Sequence, residues 1–228
     1  FSLWDTQERR IVHERKLWTH AKFAFSPTEN LLALSDEGSS AVSLVRIGEN
    51  GEVGETKIAV GGRAGRFAFS PDGRRLAFFT RILGGVQEAQ VWDLNSGDQV
   101  IPPIRTTNAF AYHGGRLVLG DRVLAIGTGK SVRVHSLEGG NLLFDTRQPD
   151  GVTALALSVD ERYLASGHGV SADEIHVWDL HADTAEPMQI IDDHDAWICW
   201  LEFTPDGRYL VSSSADQTLR LFELADGE

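Results

Sequence analysis

Apolar and polar residues alternate in short runs along this chain, with a period of two that marks half-buried strands; no stretch carries the spacing of a long amphipathic helix. The run Phe23-Ala24-Phe25-Ser26-Pro27 returns as Phe67-Ala68-Phe69-Ser70-Pro71, 44 positions later. Leu155-Ala156-Leu157-Ser158 stands 88 positions beyond Phe67, and Leu201-Glu202-Phe203-Thr204 follows after a further 46. The place between holds a degenerate copy, Phe110-Ala111-Tyr112-His113. Pro71-Asp72-Gly73 and Pro205-Asp206-Gly207 follow as tight turns, proline fixing φ and glycine relieving the exit. Second strands are predicted at Leu31–Ser35, Arg75–Phe79, Tyr163–Gly167 and Tyr209–Ser213, rich in the small residues that let sheets approach closely.

Third strands end near an aromatic: Ser2-Leu3-Trp4-Asp5, Gln90-Val91-Trp92-Asp93, His176-Val177-Trp178-Asp179 and Arg220-Leu221-Phe222-Glu223. With the weaker copies at Val45 and His135, the intervals are 41, 47, 43, 43 and 44 residues. Fourth strands fit at Arg10–His13, Gln99–Ile101, Asn141–Phe144 and Met188–Ile191. A steady period of this size marks a repeat architecture, which an ordinary sandwich does not produce.

Three Trp-Asp pairs in phase with two Phe-Ser-Pro and two Pro-Asp-Gly turns resemble the WD-repeat β-propeller family, over nearly the whole chain. The resemblance implies an all-β propeller of four-stranded antiparallel blades with about five repeat periods. The blades are expected at 17–61, 62–106, 107–147 and 148–192, after the end of a preceding blade at 1–16 and before a last blade, 193–228, without its fourth strand. One third strand is surplus to closed units, and the chain begins with Phe1 and has one methionine, Met188; it is therefore expected to be an excerpt of a larger propeller.

The family locks each blade with a hydrogen-bonded histidine, serine or threonine, aspartate and tryptophan. His194, Ser212 to Ser214 and Asp216 keep most of that set in the last repeat, where Phe222 lacks the indole N–H. The corresponding places elsewhere hold Gln148, Val60 and Lys16, or Ala172 and Val86, so the other blades are expected to lean on apolar stacking. His194, Asp216, Trp4, Trp92 and Trp178 are expected to be structural.

The chain has 228 residues, 42% of them apolar, enough for a substantial core. Its net charge of −12 has the wrong sign for a nucleic-acid backbone. Residues 171–228 carry 14 acidic groups against Arg208 and Arg220, while the rest of the chain is balanced; this acidic end reads either as a solvating surface or as a steering field for a basic partner. Cys199 is the one cysteine, so neither an internal disulfide nor a multi-cysteine zinc site can form; its apolar context predicts a small buried hydrophobe. No apolar run reaches bilayer length, and a cytoplasmic, non-membrane protein is expected.

Catalytic signals are thin. Asp192-Asp193-His194-Asp195 resembles a metal cluster, but neighbours on an extended chain point alternately, and His194 has a place in the lock. His176 and His181 are an odd number apart and do not share a face. Gly61-Gly62-Arg63-Ala64-Gly65 lacks the Lys-Ser/Thr ending of a phosphate cradle and reads as a flexible inter-blade loop. No metal, cofactor or catalytic residue is expected. The resemblance implies a non-catalytic scaffold or sensing module of a larger protein, fused to a further domain, which docks a protein or peptide on the loops before the first and third strands. Carried residue by residue, that face includes Lys16, Trp18, Arg63, Arg81, Gln148, Asp173, Asp195 and Trp197. The alternative is a metal-dependent propeller hydrolase or lactonase with a central-channel site, although the first strands offer mainly Ala24, Ala68, Ala156 and Glu202 there.

Overall fold

The computed structural model describes residues 2–6, 8–16, 21–35, 40–48, 52–82, 86–106, 115–169 and 173–224. The described residues form strands, turns and irregular segments and no helix. They divide into two compact units, one of residues 1–99 with 103–105, the other of 100–102 with 106–228.

In the first unit β1 (Ser2–Asp5) pairs with β2 (Arg10–Glu14) as a two-stranded sheet. Strands β3 (Lys22–Phe25), β4 (Leu31–Ser35), β5 (Ala41–Ile47) and β6 (Val53–Ala59) form an antiparallel four-stranded sheet in chain order. The next four-stranded sheet comprises β7 (Arg63–Phe69), β8 (Arg75–Arg81), β9 (Gln87–Asp93) and β10 (Ile104–Thr106), whose last residue is counted with the second unit. The second unit contains β11 (Arg116–Leu119), β12 (Val123–Thr128), β13 (Ser131–Ser136) and β14 (Leu142–Arg147), then β15 (Val152–Leu157), β16 (Tyr163–His168), β17 (Ile175–Asp179) and β18 (Gln189–Ile191). It ends in the three-stranded sheet of β19 (Ile198–Phe203), β20 (Tyr209–Ser214) and β21 (Leu219–Glu223).

The turns between first and second strands explain the repeated Ser/Thr-x-Asp. Ser70, Ser158 and Thr204 donate their hydroxyls to Asp72, Asp160 and Asp206 at 2.6, 2.5 and 2.5 Å, and each carboxylate also accepts the N–H of an arginine two residues on. The same hydroxyls accept the N–H of Arg75, Tyr163 and Tyr209, so one oxygen closes both sides of the turn. Gly73 and Gly207 take φ of 72° and 70° there, and Glu161 takes 62° at the equivalent place. A left-handed non-glycine residue costs on the order of 1 kcal/mol. Glu161 offsets it with a buried carboxylate that accepts the Arg122 backbone N–H at 2.7 Å and the Arg122 guanidinium at 2.9 Å.

The aspartate of each Trp-Asp pair caps the turn that follows. Asp5 accepts the N–H of Glu8, Asp93 those of Asn95 and Ser96, and Asp179 that of His181. Asp179 also accepts two donors from the Arg162 guanidinium.

Second strands lie in mid-sheet and are covered on both faces, so β4, β8, β12 and β16 are buried almost throughout. Alanine occupies one equivalent place in each, as Ala33, Ala77, Ala125 and Ala165, all fully buried. In the second unit a Cβ at Gly167 would come 2.6 Å from the Ile198 side chain, and one at Gly127 would come 2.7 Å from Val152; these glycines admit the next sheet. The core of the first unit gathers Ala33, Val42, Val60, Leu76 and Phe78 against Trp92. That of the second joins Trp178, Leu164 and Leu155, and separately Ile175, Val177, Ile198 and Leu210.

Three expectations are corrected. The fourth strand expected at Gln99–Ile101 forms at Ile104–Thr106, because Pro102 and Pro103 carry no N–H for a ladder; Gln99 keeps a single bridge to Trp92. The glycine run at 61–65 is a bend followed by strand β7, with a bulge at Gly65 to Phe67 and Arg66 at φ 55°. Cys199 is exposed, since the register shifts between Ile198 and Trp200 and turns it out of the alternation. The first strand of the third four-stranded sheet is Arg116–Leu119, and the degenerate copy at Phe110–His113 lies outside the described residues.

Candidate functional site

Three of the sheets are pinned by buried polar sets, and the sets differ. In the last sheet His194 is buried; its Nδ1 meets Asp216 Oδ2 at 2.7 Å and its Nε2 meets Ser212 Oγ at 2.6 Å. In the neutral imidazole with Nδ1–H donating to the carboxylate, Nε2 accepts from the Ser212 hydroxyl. Asp216 also accepts the Asp195 N–H at 3.2 Å and the N–H and hydroxyl of Thr218 at 2.7 Å each. Burial pushes the Asp216 carboxyl up, but the Thr218 hydroxyl, the His194 ring and the two N–H donors together hold it well below the usual carboxylate range. The triad fastens the segment 194–198, which presents Asp195 and Trp197.

The sheet of β7–β10 uses a different set that sequence reasoning did not find. Gln90, buried, donates Nε2–H to Thr80 Oγ1 at 3.0 Å and accepts the Trp92 indole N–H at 3.0 Å. Position 90 lies two before Trp92 on β9, so both side chains share a face; that period was the available signal. In the sheet of β15–β18, Trp178 donates to the Ala185 carbonyl at 3.2 Å. Gln148, Ser166 and His168 form the polar set there: Ser166 Oγ lies 3.5 Å from Gln148 Oε1 and 3.0 Å from His168 Nε2. Burial, with the nearby His176, pushes the fully enclosed His168 imidazole down to about 3 against the smaller opposing pull of Asp150, and the ring stays neutral.

Within the first unit, Arg63 and Arg81 are exposed and directly opposite each other at the ends of β7 and β8, and Lys16 is exposed before β3. Trp18 lies outside the described residues. Within the second unit, Asp195 is exposed, Asp173 is half-buried before β17, and Trp197 is 46% exposed. A Cβ at Gly169 would overlap Trp197, so the indole base sits over that glycine while much of the ring faces outward. Gln148 differs from the other described candidates: it is buried at 3% and committed to the inner polar set. Among the expected structural residues, Trp178 is buried and packs edge-on to Phe144, Trp92 is half-buried, and Trp4 is 58% exposed on β1.

Asp192, Asp193 and Asp195 are exposed, and His194 is taken up by the triad. Among the described residues a different ligand set gathers, His168, Glu174 and His176, with one ligand atom of each within 4.8 Å of the others.

Sheets of four antiparallel strands in chain order, two of them carrying a capped Trp-Asp at Trp92-Asp93 and Trp178-Asp179, define the class of repeat proteins built from propeller blades. Residues 140–179 and 185–223 match the family model "WD domain, G-beta repeat". The chain thus carries two repeats that match the WD-repeat family. It is 25% identical over 170 residues, 71% of its length and 33% of the relative's, to the WD repeat-containing protein slp1 of Schizosaccharomyces pombe. The nuclear distribution protein PAC1-2 of Uncinocarpus reesii is 36% identical over 78 residues, covering 34% of this chain and 16% of that protein. The nuclear distribution protein PAC1 of Yarrowia lipolytica is 42% identical over 53 residues, 23% of this chain and 11% of that protein. The matches thus span a third or less of these relatives. In fold the chain is similar to a chain of the "Crystal Structure of Mitotic Checkpoint Complex", with a TM-score of 0.70 and 18% identity over 99% of this chain and 70% of that one. Among the described residues no helix is long and apolar enough to cross a membrane.

Proposed function

We propose that this chain is a non-catalytic protein-interaction module of a larger cytoplasmic protein, and that it docks a protein or peptide with a basic segment through its blade-end loops. The observation that carries the reading is Trp197, an indole 46% exposed on a segment held by the buried His194–Asp216–Ser212 triad, next to exposed Asp195. A rigid aromatic anchor beside a charged rim is the arrangement that concentrates binding energy in few residues, because little side-chain freedom remains to be lost on association. Asp173, in the same unit, adds to the acidic rim, and the surplus of 14 acidic over two basic groups in residues 171–228 supplies attraction at longer range. In the first unit Arg63 and Arg81 lie opposite each other as exposed basic residues, and Lys16 is exposed before β3. Gln148 has no place in docking. The WD-repeat relatives and the protein assembly that contains the similar fold support an interaction role, and the acidic balance argues against nucleic acid as partner.

The test is partner capture by the purified protein with Trp197→Ala and Asp195→Ala. Truncating a central aromatic anchor is expected to weaken binding by about 2 kcal/mol or more, roughly thirtyfold, and added salt should weaken it further. Capture unchanged by both substitutions would place the docking face elsewhere.

A further inference from the structure

We propose that His168, Glu174 and His176 form a zinc-binding site at the end of the β16–β17 hairpin. The register itself builds it. Ser166 pairs with His176 and Gly167 with Ile175, so His168 lies opposite Glu174, its backbone N–H donating to the Glu174 carbonyl at 3.2 Å. Side chains two apart on a strand share a face. Ser166, His168, Glu174 and His176 therefore project from one face of two adjacent strands, and one ligand atom from each of the last three falls within 4.8 Å of the others.

Two details point to an ion and not only to a hydrogen-bonded trio. His168 is fully buried, and its Nδ1 has no hydrogen-bond partner. A buried imidazole nitrogen left without a partner forfeits a bond that nearly all buried polar atoms make. The other nitrogen explains the ring's state: with the Ser166 hydroxyl turned toward Gln148, His168 Nε2–H donates to Ser166 Oγ, and Nδ1 carries the lone pair. A hydrogen bond at the distal nitrogen is the usual support behind a metal-bound histidine. The second detail is the His176 Nε2 to Glu174 Oε2 distance of 2.9 Å, in a pair whose histidine side chain is mostly enclosed. Ligand atoms about 2.0–2.1 Å from a tetrahedral zinc stand about 3.3 Å apart, so an ion taking the place of the shared proton needs only a small opening there. The rings of His168 and His176 meet edge to face at 4.7 Å, and a modest closure of His168 completes the three ligands. Two imidazoles and one carboxylate suit zinc in charge and softness, with a fourth position open to water or to a partner's side chain. The ligands come from the middle strands of the sheet, so this site is distinct from the channel site of the hydrolase alternative, and it stands independently of the docking reading.

Cobalt(II) is the probe, because four-coordinate cobalt reports its geometry by visible absorption, and zinc displaces it. The protein, stripped with chelator and checked for folding by circular dichroism, is expected to bind one cobalt per chain with the intense bands of a four-coordinate site, and to lose them when zinc is added. His168→Asn and His176→Asn are each expected to abolish stoichiometric binding, and His181→Asn, in the turn after β17, to leave it intact. Should either histidine variant fail to fold, Glu174→Gln on the half-buried strand lead-in still tests the site: it is expected to weaken binding at least about tenfold. No cobalt or zinc uptake by the folded wild-type protein overturns the proposal. So does uptake that survives the loss of His168, His176 or Glu174.

Discussion

Removing the Ser212 hydroxyl isolates the contribution of the polar triad, because the change is small and its consequence is confined to one buried ring. Ser212 is fully buried, and its Oγ lies 2.6 Å from His194 Nε2, itself enclosed and bonded through Nδ1 to Asp216. In Ser212→Ala the imidazole keeps one partner and loses the other, and no solvent reaches the orphaned nitrogen. Leaving a buried acceptor unpaired costs about 1–3 kcal/mol, and the deleted atom is too small for its cavity to add much. The Ala215 N–H, which donates to the Trp197 carbonyl at 3.0 Å across the segment the triad holds, is a local reporter. Native-state hydrogen exchange at that amide reads the opening free energy of the last sheet without reference to the rest of the chain. It should fall by about 1–3 kcal/mol, with exchange some five- to hundredfold faster. His194→Phe keeps the ring volume and removes both nitrogens, so the double variant should show a coupling of roughly 0.5–3 kcal/mol. A Ser212→Ala loss below about 0.5 kcal/mol, the range of an ordinary surface change, would refute the reasoning.

Further outcomes follow from the same inventory. Gln90→Leu strands the Trp92 indole N–H and leaves Thr80 Oγ1 only its bond to the Glu88 carbonyl, and should lower stability by about 1–3 kcal/mol, read by urea unfolding with tryptophan fluorescence; a neutral result would mean that packing alone holds that sheet. Gly167→Ala should cost about 1–3 kcal/mol in thermal unfolding, because its Cβ would stand 2.6 Å from Ile198; an unchanged midpoint would show that the second unit's sheets have room to part. The Asp216 carboxyl is lower in the folded than in the unfolded chain, so its stabilisation is complete above the ordinary carboxylate pKa and is lost as pH falls through the folded value. Asp216→Asn should therefore be less stable than wild type at neutral pH and should lose less on acidification below about pH 4; parallel pH profiles would contradict this.

The strand pattern and the turns were legible because both are local. Ser70-x-Asp72 and Trp92-Asp93 carry their partners within a few residues, and a period of two needs no tertiary knowledge. The His194–Ser212–Asp216 set could be read through the family resemblance. What escaped depended on register. Gln90 and Thr80 meet across a hairpin, and His168, Glu174 and His176 converge from two strands, while sequence reasoning sought ligands in the contiguous run at 192–195. Gln148 was placed on the surface by its position in the repeat, but its amide replaces a histidine in the buried set. Cys199 was misplaced by one bulge, and the strand expected at 99–101 was displaced by two prolines.

The central claim is that the triad-held loop around Trp197 docks a partner. The direct measurement compares quantitative mass spectrometry of proteins retained by the wild-type chain, by the Asp195→Ala/Trp197→Ala double variant, and by Leu143→Ala, which alters an exposed apolar residue on β14. The account predicts a salt-sensitive protein with a basic segment that wild type and Leu143→Ala retain equally and the double variant loses. Retention of the same proteins in the same amounts by all three would contradict it.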